Sequence, residues 1–285
     1  MFPTPYSRFV IMGAARSGTT YLQTLLASHP DIVCFSELFH LLSRRGHDLD
    51  DIVRDPVEYV TKAIYRSYPS DVKAVGYKLL YSQIGANNHF LSKLDSSHVH
   101  PATKETRDAF SAFMAESYDL AQLRQRFAAF GDFIKSDQDL RLIHITRANK
   151  LEMFLSLRQA GLSKAWNSKA GSYSPDQIHL DGEECERFFS TTASREDTYT
   201  EFFRDHSVMS VSYGDLTRDT EPCLARVQQF LNLRHSSLAS PLEKQGRRAM
   251  VDVIANYGEL KMRFSGTRWE QYFRDETVAS PDHCT

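Results

Sequence analysis

Short apolar, β-branched runs recur along the chain at wide intervals: "RFVIM" from Arg8, "KAVGYKLL" from Lys73, "LRLIHIT" from Leu140 and "SVMSVSY" from Ser207. Between them lie longer stretches whose apolar positions repeat at helical spacing. The first, "YLQTLLASHP", sets Leu22, Leu25 and Leu26 on one face and stops at His29-Pro30. Further helices are expected from Pro56 to Tyr68, Glu105 to Phe130, Asn149 to Gly161, Glu183 to Arg204, Pro222 to Leu233 and Arg247 to Phe264. Brief buried strands alternating with long helices predict an α/β fold, a P-loop-like parallel β-sheet flanked by helices on both faces. A further run, "DIVCF", is expected to form the second strand and return beside the first. The polar stretches "SKLDSSHVHPATKE" and "SKAWNSKAGSYSPDQIHLDG" read as loops or lids rather than linkers, so a single domain over residues 1–285 is expected.

Composition narrows the class of function. A formal charge of -2 lacks the Lys and Arg excess of a dedicated nucleic-acid binder, so any anion site is local. Cys34, Cys185, Cys223 and Cys284 have no C-x-x-C spacing, which suits a reducing compartment and indicates neither zinc nor a disulfide framework. No uninterrupted apolar run approaches the ~18 residues of a membrane span, and the N-terminus lacks a signal pattern. A cytoplasmic location follows as the expectation, with no nucleic-acid partner and no transmembrane segment; a homodimer stays open.

The candidate chemistry begins at "MGAARSGTT", Met12 to Thr20, where the first strand gives way to the first helix. Gly13, Gly18 and Thr20 fit the phosphate-loop pattern G-x-x-x-x-G-K-S/T, but Thr19 stands where the lysine belongs. A turn from a parallel strand into a helix aims backbone N–H groups at one point, and that point binds anions. Ser17, Thr19 and Thr20 can add hydroxyl donors, and the cation inside the loop is Arg16. "LRLIHITR" ends in Thr146 and Arg147 rather than in the aspartate of a magnesium site. The ligand therefore has one phosphate in the loop and needs no metal.

"RSGTTYLQTLLASHPDI" resembles the 5′-phosphosulfate-binding loop of the sulfotransferases that use 3′-phosphoadenosine-5′-phosphosulfate (PAPS) and release adenosine 3′,5′-bisphosphate (PAP). The likeness is to bacterial carbohydrate sulfotransferases of the nodulation-factor and lipopolysaccharide type, and secondarily to tyrosylprotein sulfotransferases. Such a donor needs a second anion site for its ribose phosphate. Arg147, at the edge of a buried strand, suits a bidentate phosphate contact. With Ser156 nine residues on, it resembles the family's 3′-phosphate motif. Arg158 is a weaker helper on the same helix. "VSYGDL" resembles the element whose tyrosine, here Tyr213, approaches the adenine. "VIANYGELKMRFSGTRWEQYF" resembles the C-terminal element of the bacterial group and lacks the R-K-G-x-x-G-x-W pattern of cytosolic sulfotransferases. The matches run from Phe9 to Phe273 and are weak over about Asp48 to Val72 and Ser82 to Ala128.

Sulfuryl transfer to an alcohol requires charge stabilisation at the departing phosphate and a base for the acceptor proton. Arg16 and Lys78, the latter near the end of a buried strand, are the candidate cations. Glu37, twenty-one residues after Arg16, is the candidate base, a spacing that resembles tyrosylprotein sulfotransferases. His40 is a rival base, and Trp166 a candidate stacking platform. The resemblance implies a sugar hydroxyl of a glycan or glycolipid as acceptor. A peptide tyrosine is the alternative, for which Arg44, Arg45 and Arg54 offer a basic cleft. A P-loop kinase or a non-catalytic nucleotide-binding module are the remaining readings.

Overall fold

A computed structural model of the chain describes residues 5–40, 47–85, 118–163, 177–242 and 249–274. The polar 92–104 segment, most of the 163–182 segment, Trp166, Arg44, Arg45, Cys284 and the first part of the helix expected from Glu105 lie outside the described residues. The chain divides into two compact units, Met1–Ala148 with Arg195–Glu243, and Asn149–Ser194 with Lys244–Thr285.

The first unit holds the sheet. Strands β1 (Ser7–Gly13), β2 (Ile32–Glu37), β3 (Ala74–Leu80), β4 (Arg141–Thr146) and β5 (Val208–Ser212) pair in the order β2-β3-β1-β4-β5, every pair parallel. The expectation that β2 lies beside β1 is corrected, because β3 intervenes. Burial explains the order: all seven positions of β3 are buried and need neighbours on both sides, whereas β2 is largely half-exposed and suits an edge.

Alternation along β1 serves two cores. Phe9 and Ile11 pack with Leu22, Leu25 and Leu26 of α1 (Thr19–Ala27) and with Leu224 and Val227 of a later helix, Thr220–Phe230. Val10 and Met12 face the opposite side, with Ile52 and Val53 of α2 (His47–Arg54) and Phe127 and Phe130 of the helix Leu120–Ser136. Helices thus cover both faces, and each large side chain so buried is worth about 1.5–3 kcal/mol. A four-residue helix, α3 (Pro56–Tyr59), starts on the Asp55 side chain, which accepts from Val57 and Glu58 N–H. It relaxes into a π-helical turn over Val60–Ile64 and ends there, short of the expected Tyr68. The helix Leu120–Ser136 is α4. After β5 the chain turns at once into α7 (Tyr213–Arg218) and α8 (Thr220–Phe230).

The second unit carries α5 (Lys150–Ser163), most of α6 (Gly182–Phe202), α9 (Met250–Val253) and α10 (Tyr257–Phe264). Its core gathers Phe189, Phe264, Trp269, Tyr272 and Phe273. The single helix expected from Arg247 to Phe264 is broken at Ile254–Asn256. There the backbone leaves helical geometry to pair with Ile178, and the Asn256 amide clasps both backbone groups of Leu180. Among the described residues no helix is long and apolar enough to cross a membrane.

Candidate active site

The loop between β1 and α1 needs two unusual backbone positions. Gly18 has φ 101° and Arg16 φ 67°, both in the left-handed region that costs an ordinary residue about 1–2 kcal/mol. Gly18 is irreplaceable for a second reason: a Cβ there would sit 2.4 Å from Cδ2 of Tyr213. At Gly13 a Cβ would fall 2.5 Å from the carbonyl oxygen of Ile145. Ser17 is fully buried and donates its hydroxyl to the Ala14 carbonyl at 2.8 Å, so its side chain braces the turn. Thr19, in the lysine position of a phosphate loop, is 3% exposed with its methyl facing Gly13. A lysine there would have to bury its ammonium, so the loop carries hydroxyl residues at this end, with Arg16 as its own cation and further cations from neighbouring strands.

One of those cations comes from β3. Lys78 lies inside the strand rather than at its end, and it is 7% exposed. Its Nζ donates to Thr20 Oγ1 at 2.9 Å and pairs with Glu37 Oε2 at 2.8 Å. An ammonium taken this far from water needs such partners. Glu37 reaches it because β2 carries a bulge. Phe35 is registered with Tyr77 and Glu37, not Ser36, with Lys78. The extra residue turns the carboxylate onto the α1 side of the sheet, where simple alternation would have set Ser36. Leu38 and Phe39 follow as a buried turn, so His40 shares no helix with Glu37.

Gln83, which no local pattern marks, completes this chain of contacts. It sits in the 3₁₀ turn Tyr81–Gln83 after β3 and is fully buried. Its Oε1 accepts the Leu80 backbone N–H at 2.9 Å, and its Nε2 donates to Glu37 Oε1 at 2.5 Å. Because a backbone N–H can only donate, the amide oxygen must face Leu80, and the NH₂ group is left for the carboxylate. Glu37 thus has a donor on each oxygen.

The other cations are Arg16 and Arg147. β4 and β5 are registered Thr146 to Ser212, so Arg147 and Tyr213 leave the sheet as neighbours. The Arg147 guanidinium lies 4.6 Å from the Tyr213 ring centre, and its Nη1 donates to the Arg16 carbonyl at 3.5 Å. Burial first, and then the nearby charge of Arg147, lower the pKa of Arg16. Two guanidinium groups held this close repel, and an anion between them removes that cost.

Arg16, Ser17, Gly18, Thr19, Thr20, Glu37, Lys78, Arg147 and Tyr213 therefore belong to one continuous set of contacts at the C-terminal edge of the central strands. Open parallel sheets bind ligands at this edge, where strand order reverses. Ser156 lies on α5 of the second unit, nine residues beyond Arg147. Arg158, also on α5, pairs with Glu184 at 3.5 Å within that unit. Arg54 is two-thirds exposed and pairs with Asp51.

At the switch point of the parallel sheet the loop thus has an Arg pair beside it and a Lys–Glu pair across it, an arrangement suited to an anionic group. The Sulfotransferase family profile matches residues 8–237, and the chain belongs to that family; it is a transferase. It is similar to Nodulation protein H of Rhizobium tropici, 26% identical over 287 residues that cover 98% of this chain and 97% of the relative. Nodulation protein H of Rhizobium meliloti is 23% identical over 273 residues, covering 94% and 96%. A crystal structure of a sulfotransferase from Alicyclobacillus acidocaldarius superposes with a TM-score of 0.44 at 15% identity, over 90% of each chain.

Proposed function

We propose that this sulfotransferase moves a sulfuryl group from PAPS to a sugar hydroxyl of a glycan or glycolipid. The observation that carries the reading is the Lys78 ammonium, which touches the anion loop through Thr20 and the carboxylate of Glu37 on its other side. The residues fit the donor. A strand-to-helix turn aims backbone N–H groups at one point, and Arg16 and Arg147 supply charge for two phosphate groups.

The donor supplies an activated sulfur whose bond to a phosphate oxygen breaks as a bond to the acceptor oxygen forms. Backbone N–H groups of Arg16, Gly18, Thr19 and Thr20, with the Thr20 hydroxyl, hold the 5′-phosphate, and Ser17, whose N–H and hydroxyl both donate to the Ala14 carbonyl, braces the turn. Arg147 and Tyr213 serve the ribose phosphate and adenine end. Glu37 takes the proton of the acceptor hydroxyl, a contribution of about 10²- to 10⁴-fold. As Glu37 becomes neutral, the attraction of Lys78 passes to the charge building on the departing phosphate oxygen, which Arg16 also stabilises. The proton ends on Glu37 and the electron pair of the broken bond on PAP. No metal is needed in this scheme, since cationic side chains carry the charge.

The likeness to nodulation-type carbohydrate sulfotransferases supports a sugar acceptor, and the Nodulation protein H relatives add to it. A peptide tyrosine is the second reading, favoured by the Arg16–Glu37 spacing. Incubation of the protein with sulfur-35-labelled PAPS and separate glycan and tyrosine-peptide pools tests both. Label is expected in the glycan pool and to vanish in Glu37→Ala, while PAP without metal still raises the melting temperature of that variant. Label in peptides alone overturns the acceptor, and near-full activity in Glu37→Ala overturns the base. Stabilisation by ATP and magnesium but not by PAP overturns the donor.

A further inference from the structure

We propose that an open cavity between α2 and the start of α4 is a subsite for one neutral sugar unit of the acceptor, set apart from the hydroxyl that Glu37 deprotonates. The inference rests on the reading of a sugar acceptor and names where that acceptor is gripped.

The cavity holds about 320 Å³ and is lined by Asp50, Arg54, Tyr118, Asp119, Gln122 and Arg126, all in the first unit. This is the lower end of the about 300–1,000 Å³ of ligand sites, room for one unit of a chain rather than the whole. Its place follows from the fold. α4 ends in the Asp137–Leu140 turn that feeds β4, so it runs against the strands, and its first residues stand at the edge that carries the anion loop. Phe39, two residues after Glu37, packs on Phe127 and Phe130 of α4, with ring centres 5.7 and 4.6 Å apart. Gln122 lies five residues before Phe127, about 8 Å along the helix. An acceptor of more than one unit reaches the cavity from Glu37 by crossing the end of β2.

The lining suits hydroxyl groups. Two carboxylates and two guanidinium groups leave it without net charge, so an acidic peptide, for which Arg54 offered part of a basic cleft, meets as many carboxylates as cations there. Asp50 Oδ1 accepts the Tyr118 hydroxyl at 2.6 Å, and Asp119 Oδ1 accepts the N–H groups of Ala121 at 2.8 Å and Gln122 at 3.4 Å. Among the described residues the second oxygen of each carboxylate has no protein donor. Arg126 clamps the two helices, donating to the Val53 carbonyl at 2.9 Å and to Gln122 Oε1 at 3.3 Å, which turns the Gln122 NH₂ group to a ligand oxygen. Tyr118 is half-buried against the core that holds Phe39. Burial first, and then the hydrogen bond to Asp50 and its charge, pushes this phenol up to about 12, so it stays a donor and keeps the carboxylate aimed. A sugar ring with neighbouring hydroxyls needs acceptors and donors side by side, whereas a simple ion needs only one of the two.

A printed array of neutral oligosaccharides, acidic oligosaccharides and tyrosine peptides, probed with the full-length protein and PAP, tests the proposal. Wild type is expected to bind neutral oligosaccharides, and Glu37→Ala to bind them as well. Asp50→Asn combined with Arg54→Gln, both at exposed positions, is expected to weaken that binding about tenfold or more while the affinity for PAP changes less than about twofold. Gln122→Trp fills the cavity from an exposed helix position and is expected to do the same, so if one variant loses its fold the other decides. In transfer from labelled PAPS both variants should raise the KM for a glycan acceptor and keep kcat. Absence of neutral oligosaccharides among the bound probes, binding confined to acidic sugars or peptides, or unchanged binding in both variants overturns the proposal. Label in glycans with both variants at the wild-type KM leaves the sugar acceptor standing and removes the subsite. Loss of array binding in the variants with label only in peptides removes the sugar acceptor, and with it the acceptor role of the cavity.

Discussion

Replacing Gln83 with leucine removes two hydrogen bonds from a fully buried position and leaves the shape nearly unchanged. The Leu80 N–H, bonded to Gln83 Oε1 at 2.9 Å, is orphaned at a cost of about 1–3 kcal/mol. Glu37 loses the donor on Oε1, a hydrogen bond to a charged group worth about 1.5–3 kcal/mol. The leucine recovers part of this through apolar burial, so a net loss of roughly 2–5 kcal/mol is expected. At about 2–4 °C per kcal/mol for a chain of this size, the melting temperature should fall by roughly 4–20 °C in circular-dichroism melts. Gln83→Glu divides the effect. It retains an acceptor for Leu80 but sets a carboxylate oxygen against Glu37, so any loss it shows comes from that contact. Adding Glu37→Gln to Gln83→Glu should recover part of the stability, since an amide NH₂ can then meet the new carboxylate. A Gln83→Leu melt within 1 °C of wild type, or a full sum of losses in the Glu37→Gln, Gln83→Glu pair, refutes the bridged arrangement.

Gly18→Ala should weaken PAP binding at least tenfold in calorimetric titration, because φ 101° is strained for alanine and its Cβ meets the Tyr213 ring; unchanged affinity counts against the loop geometry. Arg8, 4% exposed, is paired with Asp137 at the far end of β1 and lies 3.8 Å from the exposed Asp139, and Asp137→Ala should cost about 3–5 kcal/mol by removing the buried partner of a buried guanidinium, whereas Arg8→Met with Asp137→Leu should cost less in the same denaturant titration. Burial pushes the Cys185 thiol up to about 12, with Asp181 and Glu184 adding to it, so at pH 8 only about one part in 10⁴ is thiolate. Iodoacetamide should modify Cys185 only on unfolding, and rapid labelling of the native protein, read by mass spectrometry, contradicts this. Thr19→Lys should lower the melting temperature without creating ATP hydrolysis, since position 19 points into the protein.

The loop and its cations were legible because each sits on a local pattern. Gly13 and Gly18 mark a strand-to-helix turn, and Arg147 follows an apolar run. Gln83 was not legible, since a glutamine in "YSQIG" says nothing until β2 is known to lie next to β3. The same pairing, with its bulge, decides which side of the sheet Glu37 meets. α2 was missed although Leu49, Ile52 and Val53 have helical spacing, because eight residues, three of them acids, give the periodicity little room. The break at Ile254–Asn256 was hidden for a different reason, as its partners Ile178 and Leu180 lie far back along the chain.

The irregularity at Ser36 also bears on how the gene can change. Loss of that single codon would move the acid into the place of Ser36, where plain alternation already turns it to the buried lysine. The strand can thus shorten by one residue at this one place and keep the pair, and a distant cousin is better aligned by asking which acid faces the buried lysine than by counting positions.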